Sequence, residues 1–228
     1  MLELGICFAE EISNEVFNKI NDIILNEANI KSLIYELSDG LLCSYLKDPF
    51  FLKSIPLKFK NLEQLHLSIN EKIEERISLN LIDQYENYIK DSQTLSKLTL
   101  SIRPNYRLMR KILQALLFNH SIQRLNLSYE KMNYFLDDLM KVIKENKTIQ
   151  ELDLTDCDLK ISEKFAYALL ENLNLKKLIL FSNTIDEKAI SIMVKSKIEN
   201  IYIDKFYLKN LGEELTKEIQ ISNIRTKF

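Results

Sequence analysis

The chain has 228 residues, which allows one or two domains and no more. Lys and Arg number 31 and Asp and Glu 33, a formal net charge of −2, so the basic field that nucleic-acid phosphates require is missing. Hydrophobic residues at 46% and charged residues at 28% are globular proportions that exclude a disordered chain, and only 3 glycines leave little room for phosphate-cradling loops.

The chain opens on Met1-Leu2-Glu3-Leu4-Gly5-Ile6-Cys7-Phe8-Ala9-Glu10-Glu11. It has no positive start, and acidic residues arrive before an apolar signal core is complete, so a signal peptide is not expected. No window reaches ~18 successive apolar residues, so no membrane-spanning helix is expected either. Ile12, Val16, Phe17, Ile20, Ile23 and Ile24 form one helical stripe. They predict an N-terminal helical cap within residues 1–29. Ile30-x-x-Leu33-x-Tyr35 then reads as a strand. Asp48-Pro49-Phe50-Phe51-Leu52-Lys53-Ser54-Ile55-Pro56 has no helical period and holds two of the 3 prolines. It predicts an irregular connection, with Phe50 or Phe51 against the core.

From residue 62 onward a single phrase, apolar-x-x-apolar-x-apolar, recurs. Its copies are Leu62-x-x-Leu65-x-Leu67, Leu95-x-x-Leu98-x-Leu100, Ile122-x-x-Leu125-x-Leu127, Ile149-x-x-Leu152-x-Leu154, Leu175-x-x-Leu178-x-Leu180 and Ile198-x-x-Ile201-x-Ile203. Counted from Ile30, the starts are 32, 33, 27, 27, 26 and 23 residues apart. The closing period-two alternation is that of a strand with one buried face. A helical stripe follows each of four phrases: Ile73, Ile77, Leu81, Tyr85, Tyr88 and Ile89; Leu108, Met109, Ile112, Leu113, Leu116 and Leu117; Phe135, Leu136, Leu139, Met140, Val142 and Ile143; Phe165, Ala166, Leu169, Leu170 and Leu173. Asn119, Asn146 and Asn172 end three of these helices, and a left-handed Asn is expected there in place of Gly. After Leu208, Leu211, Leu215, Ile219 and Ile221 predict a C-terminal cap over 209–228, with a terminal strand at Glu218-Ile219-Gln220-Ile221. No linker-like composition marks a second domain.

A strand-plus-helix unit of about 27 residues resembles the ribonuclease-inhibitor class of leucine-rich repeats. The fuller family phrase, L-x-x-L-x-L-x-x-N/C-x-L, is matched best by Ile149-Gln150-Glu151-Leu152-Asp153-Leu154-Thr155-Asp156-Cys157-Asp158-Leu159. Next is Leu175-Lys176-Lys177-Leu178-Ile179-Leu180-Phe181-Ser182-Asn183-Thr184-Ile185. The resemblance implies an α/β fold: a right-handed horseshoe solenoid, its parallel sheet concave and its helices convex. Repeats would run over 30–208, irregular in 30–61 and regular in 62–208. The family's Asn or Cys hydrogen-bonds backbone inside the turn, so Cys157 is expected as a buried structural thiol. Arg103, Glu130 and Phe206 depart from that position, so the turns after Leu100, Leu127 and Ile203 are expected to be irregular. The scaffold implies a non-enzymatic protein–protein interaction module. In style the repeats are also similar to leucine-rich-repeat effectors that some bacteria inject into host cells by routes needing no signal peptide.

Candidate chemistry is sparse. Cys7, Cys43 and Cys157 are odd in number and lack a CxxC, so no disulfide framework or zinc site is expected and a reducing, cytoplasmic setting fits. His66 and His120 lie two repeats apart, too far for a shared metal or dyad, and each is expected to face solvent. Glu151, Asp153 and Asp156 form the one cluster from which an enzyme or enzyme accessory could be built. An acidic binding surface, partly neutralised by Lys97 and Arg124, is the simpler reading.

The open face of the strands carries three outward columns. They are Gln64, Lys97, Arg124, Glu151, Lys177 and Asn200; His66, Thr99, Asn126, Asp153, Ile179 and Tyr202; and Ser68, Ser101, Ser128, Thr155, Phe181 and Asp204. Ile179, Phe181 and Tyr202, rimmed by Lys177 and Lys205, are costly to leave in water uncovered. The expected partner-binding residues are therefore Arg124, Glu151, Asp153, Lys177, Ile179, Phe181 and Tyr202, on a monomer that grips a protein partner of unknown identity. No cofactor, metal, nucleic acid or inserted membrane is called for. The alternative is that the C-terminal segment folds over the aromatics, leaving Glu151, Asp153 and Arg124 as the binding surface.

Overall fold

Each leucine phrase folds as a short strand because its last two apolar residues share one face, and burying that face requires a helix laid across it. The return through a helix makes successive strands parallel. The computed structural model describes residues 2–8, 19, 30–37, 61–69, 79–102, 106–209 and 224–227. These fall into two compact units, Met1–Ile122 and Gln123–Phe228.

The first unit carries strands β1 (Leu2–Phe8), β2 (Ile30–Leu37), β3 (Gln64–Ile69) and β4 (Lys97–Ile102), paired in parallel in that order. Helix α1 (Leu79–Asp91) follows β3, and α2 (Tyr106–Leu116) follows β4. The register aligns the leucines: Leu33 pairs with Leu65 and Leu65 with Leu98, while Tyr35 pairs with Leu67 and Leu67 with Leu100.

The second unit repeats the scheme with β5 (Arg124–Asn126), α3 (Leu136–Glu145), β6 (Glu151–Asp153), β7 (Lys160–Ile161) and α4 (Glu163–Glu171). It continues with β8 (Lys177–Ile179), β9 (Thr184–Ile185), α5 (Glu187–Met193), β10 (Asn200–Asp204), α6 (Phe206–Lys209) and β11 (Ile224–Lys227). The main sheet runs β5-β6-β8-β10-β11, all parallel, and β7 and β9 pair as a separate two-stranded ribbon. Leu125, Leu152, Leu178, Ile201 and Ile224 stack in one register row. Leu65, Leu98, Leu125, Leu152, Leu178 and Ile201 are all at most 3% exposed, as the phrase predicts.

Two strands lie outside the copies of the phrase read from the sequence. Leu2–Phe8 is a strand, paired along its length with β2. The C-terminal strand is Ile224–Lys227, paired with β10, and the expected strand at 218–221 lies outside the described residues. Of the expected N-terminal helix only Lys19 is described, and it is helical. The connection at 48–56, Cys43, Arg103 and the cap residues Leu211, Leu215, Ile219 and Ile221 also lie outside the described residues.

The helix-ending asparagines differ from expectation. Asn146 (φ −70°, ψ 132°) and Asn172 (φ −76°, ψ 128°) are extended, not left-handed. Their side chains do the work. Asn172 Oδ1 accepts the Asn174 and Leu175 amides, and its Nδ2 donates to the Ile143 carbonyl of the preceding repeat. In the first unit Asn119 Oδ1 accepts the amides of Ser121 (2.9 Å) and Ile122 (2.8 Å), and its Nδ2 donates to the Ile89 carbonyl at 2.7 Å. Asn119 and Asn172 thus each hold their own turn and tie it to the previous helix end, and Asn146 Oδ1 likewise accepts the Thr148 and Ile149 amides of its turn. Ser92, three residues before Leu95, takes the same position and accepts the Leu95 amide at 3.2 Å.

The left-handed residues are in the turns after the strands instead: Tyr129 (φ 67°), Asp156 (φ 53°) and Ser182 (φ 57°), each two residues past the last leucine of a phrase, and Asp158 (φ 54°), two residues further along its turn. The turn after Leu127 is therefore regular in spite of Glu130, which is buried at 4% exposure. Its irregularity comes later, as a 3₁₀ turn at Met132–Phe135 where the next two repeats place β7 and β9. After Ile203 the departure is immediate, since α6 begins at Phe206 itself.

On the outer helices, lysines bridge to carboxylates of the neighbouring repeat: Lys111 to Glu86 (2.7 Å), Lys144 to Glu171 (2.7 Å) and Lys164 to Asp137 (2.8 Å). Hydrogen bonding to Glu86 and to Glu171 raises the Lys111 and Lys144 ammonium pKa values above their ordinary range. Exposed pairs of this kind add little to stability, so the buried leucine rows and the asparagines carry the fold.

Candidate binding face

The outward columns exist as the alternation requires. In the first unit Gln64 pairs with Lys97, His66 with Thr99 and Ser68 with Ser101. A shallow depression on this face lies among Ser32, Ile34, Gln64, His66, Lys97 and Thr99. In the second unit Arg124 pairs with Glu151 and Glu151 with Lys177, while Asn126 pairs with Asp153 and Asp153 with Ile179. Lys177 in turn pairs with Asn200, and Ile179 with Tyr202. All seven expected binding residues thus belong to one unit, with Phe181 two residues beyond the end of β8.

Ile179, Phe181 and Tyr202 are half-exposed, neither sunk in the core nor fully in solvent. The Phe181 and Tyr202 rings meet edge to face, centroids 6.2 Å apart at an interplanar angle of 62°. This is the geometry that aligns one ring's positive edge with the other's negative face. Lys177 Nζ stands 5.7 Å from the centre of the Tyr202 ring, within cation–π range. The backbone beneath is pinned. The Phe181 carbonyl accepts the Asp156 amide (2.8 Å) and Asn183 Nδ2 (3.1 Å), and the Tyr202 carbonyl accepts the Leu180 amide (2.8 Å). Strand β11 adds a residue that the leucine phrase does not reveal: exposed Arg225, in register with Tyr202 on the side opposite Ile179. Ile224-Arg225-Thr226-Lys227 carries no such phrase, and only its β-branched residues hint at a strand.

The acidic cluster is less available than its sequence suggests. Asp153 Oδ1 accepts both the Thr155 amide (3.0 Å) and the Thr155 hydroxyl (2.7 Å). Asn126 makes the same two bonds to Ser128, so this position closes a turn whether or not it is charged. Asp156 stands in the left-handed turn, exposed. Among the described residues no three His, Cys, Asp or Glu side chains are grouped to hold a metal ion. His120 is exposed and His66 half-exposed.

Cys157 is fully buried, and its thiol donates to the Leu127 carbonyl of the preceding repeat at 3.0 Å. Burial pushes the thiol pKa up to about 12, against any role as a nucleophile. One repeat on, Asn183 takes the same position. Its Nδ2 donates to the Leu154 carbonyl (2.7 Å) and its Oδ1 accepts the Cys157 (3.2 Å) and Leu159 (3.0 Å) amides.

No protein-family model matches the sequence, and no curated protein matches it. Among solved structures the chain is similar to the crystal structure of LegL7, a leucine-rich repeat-containing protein from Legionella pneumophila. The TM-score is 0.54 at 16% identity, over 95% of this chain and 72% of that one. The fold is a leucine-rich-repeat fold. A second match, actin-binding site 2 of leiomodin-1, has a TM-score of 0.43 at 13% identity, over 63% of this chain and 86% of that one, too low to carry an argument. Among the described residues no helix is long and apolar enough to cross a membrane.

Proposed function

We propose that the protein is a non-enzymatic interaction module that binds a protein partner on the open sheet face of its second unit. The observation that carries this reading is the edge-to-face pair of Phe181 and Tyr202, half-exposed beside Ile179 and Lys177 on a face that is otherwise polar. Aromatic anchors ringed by charge are the usual source of binding energy at interfaces. Arg124, Glu151 and Asp153 extend the same face toward its acidic end. The absence of turnover is part of the proposal: Asp153 already closes a turn with Thr155, so it is poorly placed as half of a reactive carboxylate pair.

The module is proposed to act as a monomer, in cytoplasm. The likeness in fold to a Legionella leucine-rich-repeat protein supports the further reading that it is a bacterial effector delivered into a host cell. A translocation-reporter fusion checks that step: signal in host cytoplasm supports it, and signal retained in the bacterium overturns it. The binding reading is tested by capturing partners with the intact chain and titrating each with variants. Phe181→Ala and Tyr202→Ala are expected to weaken binding by ~2 kcal/mol or more, and Ser68→Ala or Ser101→Ala to leave it unchanged. Equal affinities across all four variants would sink the assignment. So would a large fall in thermal stability for both aromatic variants, which would make the patch a seat for another part of the chain.

A further inference from the structure

We propose that the depression on the first unit's open face is a carboxylate-binding site, which takes the side chain of an Asp or Glu borne on a protein segment. It lies in the other unit from the Phe181–Tyr202 pair, so it stands or falls independently of that patch. Its origin is a row of unequal side chains. Ser32 on β2, Gln64 on β3 and Lys97 on β4 are in register, and the short serine leaves a gap beside two long neighbours. Ile34, His66 and Thr99 form the next outward row and complete the lining.

The polar groups that converge here are unspent. Ser32 lines the depression at 4% exposure, and among the described residues no group of the fold meets its hydroxyl. A polar group so enclosed is ordinarily hydrogen-bonded, so its position marks a place for a ligand atom. Among the described residues the Gln64 amide and the Thr99 hydroxyl likewise make no side-chain hydrogen bond, and no carboxylate meets Lys97. Elsewhere such groups are engaged. Asn126 and Asp153, in the same column as Thr99, bond to Ser128 and Thr155. The outer-helix lysines Lys111, Lys144 and Lys164 each meet a carboxylate of the next repeat. His66 has an interaction of its own within the fold, and the site is not assigned to it. Of the nearby acids, Glu63 is held by Lys31 at 3.1 Å. Glu3 on β1 is in register with Ser32, which sets it three strand spacings, about 14 Å, from the Lys97 backbone.

Serine, threonine, glutamine and lysine can all donate, and only the lysine is charged. One ammonium with three neutral donors balances a single negative charge. A phosphate dianion calls for a second cation or the fork of an arginine. The depression holds about 70 Å³, against roughly 300–1,000 Å³ for a pocket that encloses a small molecule. It therefore admits a carboxylate and its nearest carbon, and the rest of the ligand lies along the sheet face. Half-buried Ile34 offers that carbon an apolar neighbour. A carboxylate carried on a chain suits this shape, since the chain gains contacts outside the depression.

The test follows amide resonances of the labelled full chain at constant ionic strength. The probes are a short blocked peptide with a single Glu among Ala and Ser, its Gln counterpart, acetate and inorganic phosphate. The Glu peptide is expected to give saturable shifts concentrated in residues 32–34, 64–66 and 97–99. Acetate is expected to shift the same amides about tenfold more weakly. Lys97→Gln is expected to weaken the Glu peptide about tenfold and Ser32→Ala several-fold, each with native circular dichroism. Lys111→Gln, on the outer helices, is expected to bind as wild type. Should Lys97→Gln disturb β4, Ser32→Ala carries the comparison. Absence of saturable shifts, equal shifts from the Gln peptide, or wild-type affinity in both Lys97→Gln and Ser32→Ala overturns the proposal. Phosphate binding more tightly than the Glu peptide overturns the choice of a carboxylate. Acetate binding as tightly as the peptide overturns the chain-borne source.

Discussion

Asn172 is a polar side chain buried where three backbone groups converge. It satisfies the Asn174 and Leu175 amides and the Ile143 carbonyl, all at a helix end where the chain cannot supply partners of its own. Asn172→Ala leaves these groups unpaired, and chemical denaturation is expected to register a loss of ~2 kcal/mol or more. A loss under about 0.5 kcal/mol would mean that water replaces the side chain at no cost. Cys157 gives a pH signature. Its folded-state pKa is raised from 9.0 to about 12, so below about pH 9 the thiol is protonated in both states and exerts no pH effect. Above that the unfolded chain loses the proton and the folded chain keeps it, so stability falls as pH rises toward 12, by about 1.4 kcal/mol per unit. Urea midpoints of wild type and Cys157→Ala between about pH 8 and about pH 11 are expected to converge as pH rises. Parallel curves would show that the buried thiol does not titrate as the geometry requires. The sequence motif pointed to both residues, but to only one mechanism. The Asn/Cys position announced Cys157 as a turn thiol. The helix-ending asparagines were legible as stops, and not as side-chain clamps, because composition reveals a missing glycine and not the direction of a hydrogen bond.

A repeat's strand is the element most plainly written in this chain. Leu152, 3% exposed and in register with Leu125 and Leu178 of the two adjacent repeats, illustrates why: the phrase places the same apolar residue in the same buried row each time. Leu152→Ala is expected to cost ~2–5 kcal/mol in equilibrium denaturation through the lost burial and the cavity left behind. A cost below about 1 kcal/mol would mean that the row closes up around the gap. Strands β1 and β11 escaped the same reading for different physical reasons. Leu2, Leu4, Ile6 and Phe8 alternate with period two, which is the strand signal, and Met1-x-x-Leu4-x-Ile6 even meets the phrase, but with Met at the head where the other copies carry Leu or Ile. Ile224–Lys227 is a four-residue edge with a single aliphatic side chain, and a stretch that short gains its structure from the register of β10. The ribbon of β7 and β9 likewise lies beyond sequence patterning, since a two-residue strand cannot display a period.

Across the whole molecule, repeats interact chiefly with their immediate neighbours, so stability is distributed. The two units, Met1–Ile122 and Gln123–Phe228, make this measurable. Hydrogen exchange on Leu152→Ala is expected to show lost amide protection concentrated in residues 123–209, with smaller changes in 61–122. Uniform loss over both stretches would show that the chain unfolds as one block. At this scale the architecture was legible because every repeat restates it. The candidate binding face was legible as a set of columns, because outward and inward residues must alternate. Arg225 was not, since its place on that face depends on β11. The partner is unwritten, because a sheet face constrains its own side chains and not what lies opposite.

The double anchoring of the Phe181 carbonyl, by the Asp156 amide and the Asn183 side chain, bears on the thermodynamics of capture. A loop that must freeze its main chain on binding loses about 1–2 kcal/mol for each residue immobilised. At Phe181 the main chain is already hydrogen-bonded, so on the proposed reading the cost there is chiefly that of fixing rotamers, about 0.5–1.5 kcal/mol for each side chain. Calorimetry of a captured segment should then record a heat capacity change set by apolar contact alone, without the excess that coupled folding contributes. Dissociation becomes the adjustable quantity, and sequence changes in the ligand should be felt as residence time more than as speed of arrival.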